Sequence, residues 1–146
     1  MRLQDVMSTQ VKIISPNDSA DEAMFLMRQQ NIHHLVVVEN SEVIGVLSSR
    51  DLENVSEKVR KDRDVRDFMT PHVTVASPDT TLKEAANLMR GNTIGSLPVV
   101  EKKRLVGIIT TTDLLELVGR GADHGAEDTE RRPVRAMNPG NRMRIH

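Results

Sequence analysis

The chain has 146 residues, enough for one domain or for two halves that share a core. Its formal net charge of -1 supplies no field that would favour nucleic acid or an anionic membrane surface. The absence of cysteine excludes disulfides, thiolate metal sites and cysteine nucleophiles, and fits a reducing compartment. The N-terminal residues lack an apolar signal core, and no apolar run approaches membrane-spanning length. A soluble, cytoplasmic protein without membrane insertion is therefore expected. Phe25 and Phe68 are the only aromatic residues, so stacking platforms for single-stranded nucleic acid are missing and nucleic acid is not an expected partner.

In chain order, Val11 to Ile14 reads as a short strand closed by Ser15-Pro16. Asp18 or Ser19 caps a helix running to about Gln30. Ala20, Ala23, Met24 and Met27 form its apolar stripe, with Phe25 assigned to the same face. Leu35 to Val38 is a continuous apolar run of the kind buried on both faces of a sheet. Asn40-Ser41 is a turn, Val43 to Leu47 a third strand, and Asp51 opens a second helix. The mixed charges from Glu53 to Asp64 read as a solvated helix face and linker.

The same course then repeats. Eighteen residues between Asp5 and Leu52 recur as the same residue 62 positions later, without a gap. In the second copy Val73 to Val75 is the first strand, and Ser77-Pro78-Asp79-Thr80-Thr81 is the break and cap. Leu82, Ala85, Ala86, Leu88 and Met89 mark its helix. Leu97 to Val100 and Leu105 to Ile109 form its hairpin, and Pro98 removes one ladder bond, as at an edge or beside a ligand. Asp113 to Val118 starts the last helix, which Gly119 and Gly121 end. The predicted fold is α/β, with two β-α-β-β-α repeats packed about a pseudo-twofold axis. Residues 1–60 and 61–120 make the two domains, and residues 121–146 an irregular extension with arginines at Arg131, Arg132, Arg135 and Arg142.

Each copy carries one corner, Gly45-Val46-Leu47-Ser48-Ser49-Arg50-Asp51-Leu52 and Gly107-Ile108-Ile109-Thr110-Thr111-Thr112-Asp113-Leu114. A strand runs into a helix there, with a hydroxyl and then a carboxylate three residues on. Such a pair can act as a helix capping box, and capping alone accounts for Ser48, Asp51, Thr110 and Asp113. A carboxylate can also accept from both hydroxyls of a ribose.

These corners resemble the cystathionine-β-synthase (CBS) domain family, whose tandem pairs are called Bateman modules. The resemblance also rests on Asp5-Val6-Met7, Asp67-Phe68-Met69, the two Ser-Pro steps and Leu97-Pro98-Val99-Val100, and covers residues 3 to 119. It implies a regulatory module, not an enzyme, that binds an adenosine compound in one or both clefts between the repeats. AMP stands first among AMP, ADP, ATP and S-adenosylmethionine, as a regulatory ligand and not as a required cofactor. It further implies a homodimer that acts on a separate target protein. Asp51 and Asp113 would take the ribose and Ser48 and Thr110 would assist. Ile13, Val46, Val75 and Ile108 would line the adenine slot. His33, His34 and Arg50 would meet phosphate, or His33 and His34 are simply a solvated loop pair. Gly95, Ser96 and Thr112 replace the three basic residues in the second copy, so the phosphate-binding equipment belongs to the first. His72, His124 and His146 have no carboxylate-spaced partners, so no metal site is expected. A structural dimerisation module with empty clefts is the competing reading.

Overall fold

The computed structural model describes residues 1–121; the expected extension, with His124, His146 and its arginines, lies outside them. Two compact units divide at Thr111/Thr112. In the first, β1 (Ile13–Ile14), α1 (Ala20–Gln30), β2 (His34–Glu39), β3 (Glu42–Ser48), α2 (Ser49–Leu52) and α3 (Glu57–Asp62) build repeat one. β4 (Thr70–Pro71), α4 (Leu82–Asn92), β5 (Ser96–Glu101) and β6 (Arg104–Thr110) follow. α5 (Thr111–Gly119) opens the second unit.

The helices start where side chains can satisfy their first N–H groups. Ser19 caps α1 and Thr81 caps α4, each answered by a glutamate three residues on, Glu22 and Glu84. Both helices end on a left-handed residue, Asn31 and Thr93. One four-stranded sheet has the order β1-β2-β3-β4, and β5 and β6 pair in a second. α1 buries Ala20, Ala23, Met24 and Met27 against Ile14, Leu35, Val37 and Leu47. Phe25 does not join this stripe; it is 63% exposed on the outer side of the helix. Asp51 does not open α2 either: Ser48 is its N-cap and Asp51 its third residue.

The expected strand at Val73 to Val75 is reduced to one bridge, Ala76 to Val99. The 62-residue offset supplies the reason. In repeat one the N–H of Val36 donates to the Lys12 carbonyl at 3.1 Å, holding the chain against β2. Pro98 stands at the equivalent position and has no N–H. Only Ala76 remains attached, donating to the Pro98 carbonyl at 2.9 Å and accepting from the Val100 N–H at 2.8 Å. The charged stretch carries α3, which is exposed except for Arg60; its Nε meets Asp21 Oδ1 at 3.0 Å.

The start of each repeat is fastened to the other repeat. Leu3 and Gln4 donate to the Thr80 and Pro78 carbonyls, and Ser8 and Ile108 exchange two backbone bonds of 3.0 Å. At the offset positions Val65 and Arg66 donate to Asp18 and Pro16, and Thr70 pairs with Val46. Leu3 and Val65 are fully buried. Both straps cross a glycine. A methyl group on Gly45 would lie 2.7 Å from Met69 Sδ and 3.0 Å from the Thr70 carbonyl oxygen. One on Gly107 would lie 2.5 Å from Met7 Sδ and 3.0 Å from the Ser8 oxygen. A methionine can swing aside, but a ladder carbonyl cannot.

Gly45→Val and Gly107→Val are therefore expected to lower stability by roughly 1–3 kcal/mol through overpacking, measured by urea unfolding. Gly91 in α4 has no atom within 4 Å of its Cβ position. Gly91→Ala is expected to raise stability by about 0.5–1 kcal/mol in the same assay. Glu84 predicts a pH effect: hydrogen bonds from the Thr81 backbone and side chain hold its carboxyl below the usual carboxylate range. Its contribution is complete above the unfolded value and is lost as pH falls through the lower folded one. Unfolding followed at falling pH, below roughly 4.3, should show a shallower loss of stability in Glu84→Gln than in the parent chain.

Candidate functional site

Strand register decides which predicted residues share a surface. Ile13 pairs with Val36 and Val36 with Val46, so the three form one row across the sheet. His34 pairs with Ser48 two residues away along the same strands. Side chains two apart share a face. Leu35, Val37 and Leu47 occupy the face packed on α1. Ile13, His34, Val36, Val46 and Ser48 therefore lie together on the opposite face. Val36 is fully buried, His34, Val46 and Ser48 are half-buried, and Ile13 is 54% exposed.

At the end of β3 the chain turns into α2, and several groups converge. The Ser49 N–H donates to the His33 carbonyl at 2.9 Å. His33 Nδ1 and Ser49 Oγ are 3.2 Å apart, within hydrogen-bond reach. Asp51 Oδ2 accepts from the Ser48 N–H at 2.8 Å. The carboxylate thus performs the capping role with one oxygen. Arg50 and Asp51 are both exposed. Negative charge is favourable at a helix start, and each carboxylate oxygen can accept more than one hydrogen bond.

Repeat two forms the same corner with different side chains. Thr111 donates to the Gly95 carbonyl at 3.0 Å, as Ser49 does to His33. Ser96 pairs with Thr110 and Pro98 with Ile108. Ile108 is buried and held by the Ser8 strap, whereas Val75 lies outside the ladders and is 42% exposed. Asp113 sits in the first turn of α5, in the second unit. The two repeats meet at their loops: Cε1 of His34 lies 3.5 Å from where a methyl group on Gly95 would sit. The structure thus brings His33, His34, Ser48 and Asp51 to one corner, with Ile13 and Val46 on the sheet face leading to it.

Ser49, the hydrogen-bonding partner of His33, and Val36, the centre of the apolar row, were not among the residues anticipated from sequence. Both carried a signal, Ser49 as the offset partner of Thr111 and Val36 as the middle of the run that Leu35 begins. Among the described residues no cluster of three or more His, Asp or Glu is placed to hold a metal ion, and no helix is long and apolar enough to cross a membrane.

The profile of the CBS domain matches this chain twice, at residues 3–57 and 65–120. The CBS domain-containing protein YhcV of Bacillus subtilis is 34% identical over 114 residues, which cover 77% of this chain and 81% of that protein. Inosine-5'-monophosphate dehydrogenase of Methanocaldococcus jannaschii is 35% identical over 117 residues, 79% of this chain but 23% of that enzyme. Among solved structures, the CBS domain pair of protein MJ0100, in complex with 5'-methylthioadenosine and S-adenosyl-L-methionine, matches with a TM-score of 0.74 at 27% identity. The match covers 82% of this chain and 97% of that one. CBSX2 in complex with AMP matches with a TM-score of 0.69 at 26% identity, over 82% and 96%. With two profile matches in register with the two repeats, the chain belongs to the CBS domain family, as a tandem pair of such domains.

Proposed function

We propose that this chain is a regulatory module that binds an adenosine compound, with AMP first among them, at the corner where β3 enters α2. The ribose hydroxyls bond to Asp51, and the phosphate is met by His33, His34 and Arg50. The adenine lies against the apolar row of Ile13, Val36 and Val46. In repeat two the positions of the three basic residues are taken by Gly95, Ser96 and Thr112, so the phosphate end belongs to repeat one. The module works as a homodimer, in the cytoplasm, on a separate target protein, and carries no catalytic activity of its own.

The observation that carries this reading is the state of Asp51. It stands exposed in the first turn of α2, which His33 joins through Ser49, and commits one oxygen to the Ser48 N–H. Adenosine ligands in two solved CBS relatives with similar folds support the same chemistry. A structural docking module is favoured by one observation only, that the Ser48–Asp51 bond already gives the carboxylate a purpose.

Two substitutions at Asp51 separate the readings. Asparagine keeps an oxygen for the Ser48 N–H, but it lacks the charge. Calorimetry is expected to show Asp51→Asn and Asp51→Ala both losing AMP affinity by about ten- to a hundredfold, the usual cost of a charge-assisted hydrogen bond. Thermal unfolding should fall further for Asp51→Ala than for Asp51→Asn. Equal AMP affinity in all three proteins would leave the structural module as the better account. AMP is also expected to bind more tightly than adenosine, and His33→Ala, His34→Ala or Arg50→Ala should narrow that difference. An unchanged preference in the three variants would remove the phosphate role.

A further inference from the structure

The two repeats share one backbone plan, so places where they differ in chemistry but not in conformation mark demands that the fold itself does not make. The hairpin tips differ in this way, and so do the starts of α1 and α4. On the outer side of α1, Ile13, Asp18, Asp21, Glu22, Phe25 and Leu26 line a cavity of about 400 Å³. Its character is apolar and acidic. Phe25, one of only two aromatic residues in the chain, stands 63% exposed there. In repeat two the counterparts of Asp18, Asp21 and Phe25 are Thr80, Lys83 and Asn87, so the same helix start works without a groove of this chemistry.

The second site is the tip of the hairpin. Between β2 and β3 it reads Glu39-Asn40-Ser41-Glu42, and between β5 and β6 it reads Glu101-Lys102-Lys103-Arg104. The turns have the same shape, with φ of 54° and 67° in the first and 52° and 67° in the second. A left-handed pair suits asparagine and glycine, not lysine. Two lysines therefore stand where turn chemistry disfavours them. Lys102, Lys103 and Arg104 are exposed, and among the described residues none of them has an ion-pair partner.

We propose that the cationic β5–β6 tip of one copy of this chain docks into the apolar, acidic groove beside α1 of a second copy, and that a symmetric dimer contains this contact twice. The inference rests on the dimer reading above and names its surfaces. Charge complementarity selects the pair. The groove sets three carboxylates against one guanidinium, that of Arg60 on Asp21. The tip sets three cations against Glu101. The other acidic tip is a poorer partner, because Glu39 and Glu42 with Arg66 leave one net negative charge where the groove's three carboxylates and Arg60 leave two. Phe25 adds an aromatic face for a lysine or arginine head and apolar surface for its stem. Each copy carries one tip and one groove, so the proposed twofold dimer uses both surfaces of each copy.

Sedimentation velocity on the full chain tests this, with circular dichroism and thermal unfolding as folding controls. The parent chain should sediment as a dimer at micromolar concentration. Lys102→Glu/Lys103→Glu should raise the dissociation constant about tenfold or more, and so should Phe25→Asn and Asp21→Lys. Phe25→Asn imports the residue that repeat two carries at the same backbone position, so the fold should persist; Asp21→Lys also opens the Arg60 ion pair, and the folding controls separate that loss from a loss of docking. Combining Asp21→Lys with the reversed tip should recover affinity towards that of the parent. A parent dimer unmoved by every variant would overturn the tip-in-groove contact and leave the dimer standing. Weakening by each variant without recovery in the combination would overturn this pairing of surfaces. A parent chain that sediments as a monomer at tens of micromolar would sink the dimer and this contact together.

Discussion

The close crossing of backbone over Gly45 and Gly107 is the constraint on which the rest depends. At each crossing a carbonyl oxygen lies 3.0 Å from where any side chain would begin. Only there can the strap that starts one repeat lie along the last strand of the other. The Ser8–Ile108 bonds and the Thr70–Val46 pairing complete the exchange. Leu3 and Val65 are then buried in the half to which they do not belong in sequence. The halves in space are thus not the repeats in sequence. Each is finished by a segment of the other, which couples their stabilities. The strands that carry the two corners, β3 and β6, are the strands the straps hold.

The elements with strong local signals were legible. The apolar runs of β2, β3, β5 and β6 needed only composition, and the α1 and α4 starts needed only the Ser19 and Thr81 caps with their glutamates. The strap exchange was not legible, because pairing between distant segments leaves no local mark on residues such as Leu3 or Val65. Phe25 was misassigned because apolar character alone does not fix which side of a helix a residue takes; its neighbours Met24 and Met27 filled the stripe first. The strand lost at Val73 to Val75 was legible in principle. Exchanging Val36 for Pro98 removes one donor, and that donor is the one that holds Lys12 in repeat one. The site was legible as a set of types: a hydroxyl, a carboxylate and a basic pair. Their arrangement needed the register that sets His34 opposite Ser48, and the loop contact that sets His34 against Gly95.

In the proposed site, capping and ligand binding need not compete. A helix start offers N–H groups and a positive field, and a carboxylate that satisfies one N–H there is thereby oriented. In repeat one, Asp51 spends one oxygen on Ser48, and its helix is only Ser49–Leu52 long. So short a helix adds little stability of its own, and the bond fixes the orientation of the carboxylate at the end of β3. The pseudo-symmetry makes two such corners by one backbone rule, and the side chains then separate them. His34 of one repeat lies at the Gly95 loop of the other. Symmetry of backbone with asymmetry of charge lets one small module carry two corners of unequal chemistry, and it does so without altering the crossing that holds the halves together.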